Sequence, residues 1–393
     1  MFTFVSYLSG IAATLLPGGR TVHNRLKVPI KIDDTTKLAI KSCDDSQCTD
    51  DCRKCGPMAK LIRKTDLMII DEVTMGSKLM FEAIDKSLKK IRHQPNKPFG
   101  GVTLVLSGDW RQCLPVVPKG TRAQIIHDTL KYSTLWSEIK TFHLTENMRI
   151  KYGADGCDPE FEQYLLRIGE GREEIIDEEG DMMIKIPDFL KSKAKTVHEF
   201  CQSIFPDLNK NIQEGLKRIG MKDRGCFDWL MSRAIICPTN ADAEEINQIM
   251  MKQFKGNLMV YRSADKVVDP NEATKYPQEF LNSVSLSSLP PHILELKPGT
   301  PIMLLRNMDP ANGHVNGARY FVKELKSSVI IAELAIGPYK GNQLMIPRIP
   351  FKPEDKTLPF EFTRKQFPVK VCFAITSNKS QGQTLDKVCT NVR

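Results

Sequence analysis

No Gly-Lys dipeptide occurs anywhere in the 393 residues. The glycine-rich loop that cradles phosphates, G-x-x-x-x-G-K-[ST], is therefore not encoded here. The turn Pro17-Gly18-Gly19 is no substitute, because no Lys-Ser or Lys-Thr follows it. Apolar runs are too short to cross a bilayer. The apolar start Met1–Ser9 lacks a basic leader and reads as a buried strand, not a signal peptide. Three Trp and 7% aromatics give no obvious platform for stacking bases. Internal repeats and long low-complexity tracts are missing, and no Ser–His–Asp order suggests acyl transfer.

What is present fits a reducing, multidomain protein. A 41% hydrophobic fraction over this length supports two or three domains with real cores. The formal charge of +9 is compatible with a polyanionic partner. Most of the eleven Cys stand alone in apolar or mixed contexts, as at Cys113, Cys237 and Cys372, and read as small core residues. Cys43, Cys48, Cys52 and Cys55 share one short acidic stretch. Four thiolates can bind Zn²⁺, but only the last pair has the common C-x₂-C spacing. The pattern C-x₄-C-x₃-C-x₂-C thus argues against a zinc finger. His23 and His143 read as structural or phosphate-contacting, and the methionines of the 248–259 stretch, Met250, Met251 and Met259, as core filler. Lys89, Lys90 and Arg92 read as a solvated helix face.

Strand and helix signals alternate through the first segment. Strands are expected at Phe2–Tyr7, Leu67–Ile70, Gly100–Ser107 and Lys140–Leu144. A helix is expected to open at Ser9–Thr14. Another spans Ser77–Arg92, with Leu79, Ala83, Ile84, Leu88 and Ile91 on one face. This alternation argues for a doubly wound α/β domain over 1–157. Residues 158–230 read as a mainly helical connector, broken by an acidic turn at Gly169–Asp181. A second α/β domain over 231–393 opens with the strand Arg233–Asn240 and the helix Asp242–Lys252. Short β-type runs separated by Gly and Pro suit a small β-barrel insertion at about 297–367. Val369–Thr376 then reads as one buried strand.

Chemistry-bearing residues stand where these strands end. Leu67–Ile70 runs straight into Asp71-Glu72. In open α/β sheets ligands bind at the carboxyl ends of strands. One carboxylate there can hold Mg²⁺ on a nucleotide while its neighbour activates water. The next strand ends in Ser-Gly-Asp-Trp-Arg-Gln112, and a Gln amide can sense a γ-phosphate by donating and accepting. Arg149 closes Leu144-Thr-Glu-Asn-Met-Arg149, where a guanidinium can reach developing phosphoryl charge. The loop Asn378-Lys-Ser-Gln-Gly-Gln-Thr384 offers amides, a hydroxyl and a Lys to nucleic-acid phosphates.

In this order the motifs resemble the petite-integration-frequency family of superfamily 1 DNA helicases, and within it the helicase domain of Helitron transposons. The pieces that carry the resemblance are Ser9–His23, Ile69–Met75, Gly108–Val116, Leu144–Arg149, Pro301–Asn307, Asn316–Arg319, Ile346–Pro350 and Asn378–Thr384. The resemblance implies two RecA-like P-loop NTPase-type domains that couple ATP hydrolysis to 5′-to-3′ movement on single-stranded DNA. It implies that Asp71 coordinates Mg²⁺, Glu72 orients the attacking water, Gln112 links nucleotide state to DNA, and Arg149 contacts the γ-phosphate. Thr21, His23, Asn240, Lys379, Ser380 and Gln381 would lie along the DNA track. Single-stranded DNA, duplex junctions and ATP are the expected partners of a monomer without membrane attachment. DNA repair, recombination or telomere-type maintenance, and a nuclear location, follow from the DNA partner alone.

Two family elements are not in the sequence. The phosphate-loop strand and helix should precede Ile11–Thr14, and an Ala-Leu-Ser-Arg motif should follow Thr384. Without the loop's N–H groups and Lys charge, Asp71 lacks a well-held Mg·ATP. The first domain would also lack a strand, leaving neighbours with unpaired edges. The expectation is a helicase-type chain, truncated at both ends, with little or no ATPase by itself. The rival reading is a non-catalytic single-stranded DNA-binding remnant.

Overall fold

The structure, a computed structural model, describes residues 2–8, 10–14, 19–29, 31–43, 53–148, 159–178, 181–218, 225–272, 274–286, 289–353 and 358–390. The chain divides into two compact units, Met1–Leu8 with Arg20–Ser192, and Ser9–Gly19 with Lys193–Arg393.

The first unit is built on a four-stranded sheet, order β2-β1-β3-β4, with every pairing parallel. Its strands are β1 (Phe2–Tyr7), β2 (Arg20–Thr21), β3 (Thr65–Asp71) and β4 (Thr103–Leu106). The run Leu67–Ile70 makes β3 the central strand, and Met68 and Ile70 are 0% exposed. A strand paired on both sides with both faces covered can be apolar throughout. Three helices belong to this sheet's surroundings: α2 (Val22–Arg25), α3 (Pro57–Lys64) and α4 (Lys78–Ile91), α1 (Gly10–Thr14) being part of the second unit. In α4 the Ser77 hydroxyl caps the start by accepting from Leu79 N, while Phe81, Ala83, Ile84, Leu88 and Ile91 enter the core. Leu79, expected on that face, is only half-buried, and Met80 and Phe81 take the deeper positions.

Two sequence expectations fail here for one reason. Gly100–Ser107 forms a strand only over Thr103–Leu106, and β4 is an edge strand with Val105 44% exposed. Residues 140–147 take no strand; Phe142 is 76% and Leu144 98% exposed. Apolar residues make a buried strand only when a neighbour supplies hydrogen bonds and a covering face. Among the described residues, β4 pairs with β3 alone.

After a short helix α5 (Arg122–His127), the unit ends with α6 (Pro159–Gly169) and a hairpin. The acidic turn expected at Gly169–Asp181 contains strands: β5 (Ile175–Glu178) pairs antiparallel with β6 (Asp181–Ile184). Within the second unit, α7 (Val197–Ile204), α8 (Leu208–Lys217) and α9 (Gly225–Met231) follow.

The second unit holds a small parallel sheet and several antiparallel ones. Strand β7 (Arg233–Cys237) lies between β18 (Ala374–Thr376) and β19 (Lys387–Thr390). Helix α10 (Asn240–Gln253) follows β7 and packs on it and on β18. Beside α11 (Gln278–Ser283) the chain becomes β-rich. An antiparallel pair joins β8 (Met259–Arg262) to β10 (Ile293–Leu296). An antiparallel sheet of order β14-β13-β12-β11-β17 uses Gln343–Pro347, Val329–Leu334, Arg319–Leu325, Pro301–Leu304 and Val369–Val371. A third sheet joins β15 (Ile349–Phe351), β16 (Phe362–Gln366) and β9 (Ala264–Val267). There Arg364 and Asp265, both almost fully buried, form a bidentate pair at 2.7–3.1 Å. The carbonyls of Leu281, Val284 and Pro290 take the remaining guanidinium donors. A buried charge persists only when its donors are satisfied in this way.

Val369–Thr376 is not one strand. Val369–Val371 pairs antiparallel with β11, and Ala374–Thr376 pairs parallel with β7. Apolarity marks both halves as buried but cannot tell that they serve different sheets.

Candidate functional site

Register aligns the carboxyl ends of the first unit's strands. Tyr7 lies opposite both Thr21 and Asp71, and Ile70 lies opposite Leu106, one residue before Ser107. The backbone then turns sharply. Glu72 adopts the left-handed conformation (φ 60°, ψ 35°), uncommon for a residue with a Cβ and typical of functional corners. The turn Val73–Met75 packs onto Gly108, where an added Cβ would lie 3.1–3.3 Å from Thr74 and the Val73 amide. Glycine at 108 is what lets the two strand ends approach.

This corner holds Asp71 rigidly. Its Oδ1 accepts the Glu72 amide at 2.9 Å and the Ser107 hydroxyl. Among the described residues no bond engages Oδ2. One carboxylate oxygen is the donor type Mg²⁺ takes from protein, the rest of its shell coming from waters and phosphates. The Asp71 carboxylate thus fits Mg²⁺. Nearby groups register the local negative charge. Burial raises the Tyr7 pKa, and Asp71 raises it further. Burial likewise raises the Cys113 thiol, with Glu72 adding to the effect. Gln112 is exposed, its amide nitrogen 3.5 Å from Asp109 Oδ2, while Asp109 also pairs with Arg111 at 3.2 Å. Asp71, Glu72 and Gln112 therefore share one unit and one sheet edge. Arg149 lies outside the described residues.

The expected DNA contacts divide between the units. In the first, Thr21 caps α2, its hydroxyl accepting Asn24 N at 3.3 Å, and His23 is exposed on the same short helix. In the second, Asn240 and Lys379 line one cavity of about 410 Å³, together with Asn247, Met251, Met303 and Lys370. Lys379 belongs to α12 (Ser377–Ser380), and its ammonium donates to Asn316 Oδ1 at 3.3 Å. Lost hydration lowers its pKa, and the Lys370 charge lowers it again. Lys370 is lowered mainly by burial, with Glu244 opposing. The two neighbouring ammonium groups share this wall with the carboxylates of Glu244 and Glu295. The Ser380 hydroxyl donates to Ser377 O at 2.7 Å, and Gln381 is half-buried beside it.

Several positioning residues were given no role by the sequence, although Gly317 and Arg319 belong to the motif Asn316–Arg319. Ser107 fixes Asp71, yet a lone Ser after a strand is commonplace. Asn247 exchanges two bonds with the Ala374 backbone, both 2.9 Å, pinning α10 to β18 beneath the cavity. Arg319 is buried and donates to the carbonyls of Met231, Arg233 and Cys372 at 2.9–3.4 Å, tying β12 to the parallel sheet. Gly317 (φ 89°) lets the 315–317 turn meet α1, where an added Cβ would lie 3.0 Å from Ile11.

Comparison with known proteins gives the corner and the cavity a context. A family profile described as "PIF1-like helicase" matches residues 3–179, and one described as "DNA helicase Pif1, 2B domain" matches 279–325. The chain is 25% identical over 398 residues to an ATP-dependent DNA helicase PIF1 of Danio rerio, covering 98% of this chain and 50% of that one. It is 22% identical to ATP-dependent DNA helicase Pif1 of Campylobacter jejuni, covering 95% and 73%. The chain thus spans about half the length of the zebrafish relative. Among solved structures, Pif1 helicase from Bacteroides in complex with ADP-AlF3 and ssDNA superposes with a TM-score of 0.61 at 22% identity, covering all of this chain and 76% of that one. Pif1 helicase from Candida albicans superposes with a TM-score of 0.56 at 21% identity, covering 99% and 78%. These likenesses give the fold: a mixed α/β, RecA-like helicase core. On two profiles that together span more than half its residues, and on this shared fold, the chain belongs to the PIF1-like helicase family.

Proposed function

We propose that this chain is the core of an ATP-dependent DNA helicase whose own grip on nucleotide is incomplete. The observation that carries the reading is the Asp71 carboxylate, fixed by Ser107 and the Glu72 amide at the carboxyl edge of a parallel sheet. In the reaction, water attacks the γ-phosphorus of ATP, the bond to the β-phosphate oxygen breaks, and ADP and phosphate leave. Asp71 would hold Mg²⁺, Glu72 would orient the water, and Gln112 would couple the site to DNA. Arg149 would meet the developing charge, and Thr21, His23, Asn240, Lys379, Ser380 and Gln381 would follow the strand. The open edge of β4 and the exposed residues 140–147 support a first RecA-like domain lacking a phosphate-loop strand. The antiparallel run β11–β14 supports an insertion in the second domain at about 297–367.

Phosphate release from ATP by the intact chain, with and without single-stranded DNA, tests this. Little or no DNA-stimulated release is expected; brisk turnover that Glu72→Gln abolishes would refute the incomplete grip.

A second reading, a single-strand binder without motor activity, is favoured by the paired ammonium groups of Lys370 and Lys379 on the cavity wall. It predicts salt-sensitive oligonucleotide binding that ATP does not alter. Fluorescence anisotropy with and without Mg·ATP separates the two. Lys379→Ala should weaken binding and reduce the salt slope by about 1 if its ammonium neutralises one phosphate.

A further inference from the structure

We propose that Asn316 is a positioning residue for the DNA contact of Lys379: its side-chain oxygen directs that ammonium without cancelling its charge. The proposal rests on the reading of Lys379 as a contact to a nucleic-acid phosphate. The motif Asn316–Arg319 stands out in the sequence, but nothing there gives its first residue a task.

Asn316 lies in the connection between β11, which ends at Leu304, and β12, which begins at Arg319. The residue is exposed, yet its backbone is fixed at several points. Its amide donates to Asn307 Oδ1 at 2.8 Å. The next amide, of Gly317, donates to Leu304 O at 2.7 Å, and that of Ala318 donates to Val315 O at 3.1 Å. Val315 and Ala318, which bracket the turn, are buried. The Asn316 carbonyl faces Gly10 of α1, where an added Cβ would lie 2.9 Å away. Loops held by a rigid scaffold in this way are common carriers of binding side chains.

What the Asn316 side chain meets is Lys379, 63 positions later, whose ammonium donates to Asn316 Oδ1 at 3.3 Å. The backbone there is held too: α12 follows β18 directly, and the Gln383 side-chain amide donates to Lys379 O at 2.7 Å. Among the described residues no carboxylate pairs with Lys379, and the charge that acts on it is that of Lys370. An ammonium can only donate, so the amide must turn its oxygen towards it. One of three donors is then used, and the full positive charge remains for a phosphate. A carboxylate in the same place would hold the ammonium as well but neutralise it. Lysine carries much rotamer freedom, which binding must remove; a side chain already directed loses less. A neutral oxygen on a fixed turn therefore suits a cation that has to bind a phosphate rather than a partner within its own chain.

Fluorescence anisotropy of a labelled single-stranded oligonucleotide, titrated with the intact chain over a series of salt concentrations, tests the proposal. Lys379→Ala should weaken binding and lower the salt slope by about 1. Asn316→Ala should weaken it about two- to tenfold, the range for one hydrogen bond, with the slope unchanged, because the ammonium stays but is no longer directed. Asn316→Asp should lower the slope by about 1, as Lys379→Ala does, because the new carboxylate neutralises the ammonium. In the Lys379→Ala background, Asn316→Ala should have no further effect. A merely structural role for Asn316 would still weaken binding in that background, so the double variant decides even where a single one melts at a lower temperature. Additive losses in the double variant overturn the inference. So do Asn316→Ala and Asn316→Asp proteins that bind as the wild type does while Lys379→Ala binds more weakly; Lys379 would then remain a DNA contact without this support. Unchanged binding by Lys379→Ala overturns both the contact and the inference.

Discussion

Strands β3 and β4 are neighbours in one parallel sheet, and each carries an apolar run. Met68 pairs with Leu104 and Ile70 with Leu106. Yet Met68 and Ile70 are sealed while Val105 is 44% exposed. The difference lies in partners, not in composition. β3 has a strand on each side; among the described residues β4 has one. An apolar edge with free backbone groups is a liability that folded proteins normally cover. The same end of the sheet carries the held carboxylate of Asp71, so the proposed incomplete grip on nucleotide and the β4 edge can be tested together.

The contrast is sharpest in stability. Met68→Ala should cost about 2–5 kcal/mol, the range for emptying a closed core position. Val105→Ala should cost less than about 1 kcal/mol, as at a surface site. Urea denaturation monitored by circular dichroism compares them; equal losses would mean that β4 is covered in solution. Ser107→Ala should fall between, at about 1 kcal/mol for one hydrogen bond to a charged group's neighbourhood. Hydrogen exchange offers a gentler probe. Amides of β3 should exchange only on global opening, and those of β4 that face away from β3 much faster. Smallest in stability, Val105→Lys should leave the melting temperature nearly unchanged but reduce concentration-dependent association, measured by light scattering, because a charge on an edge blocks strand pairing.

How much was legible follows from the same contrast. The strand β1, the strand β3, the helix α4 and the second-unit helix after β7 were all readable, because local periodicity determines them. The Asp71–Glu72 corner was readable because its residues adjoin in sequence. Lys140–Leu144 misled because its apolar texture implies a neighbour that the described residues do not provide. Val369–Thr376 misled because one run is shared between two sheets. The bond from Ser107 to Asp71 crosses 36 positions, and that between Asn247 and Ala374 crosses 127. Long-range pairs of this kind leave no local pattern. Cys43 and Cys55 are the intermediate case: the residue types were conspicuous, but only folding shows that the outer two meet.

Equilibrium binding of a fluorescent ATP analogue with Mg²⁺, titrated with the intact chain, bears most directly on the account. The uncovered β4 edge and the sequence without a Gly-Lys dipeptide predict no saturable binding at micromolar protein, and no difference between wild type and Asp71→Asn. Tight, Mg²⁺-dependent binding that Asp71→Asn abolishes would contradict it, showing that this corner grips nucleotide with the groups it already has.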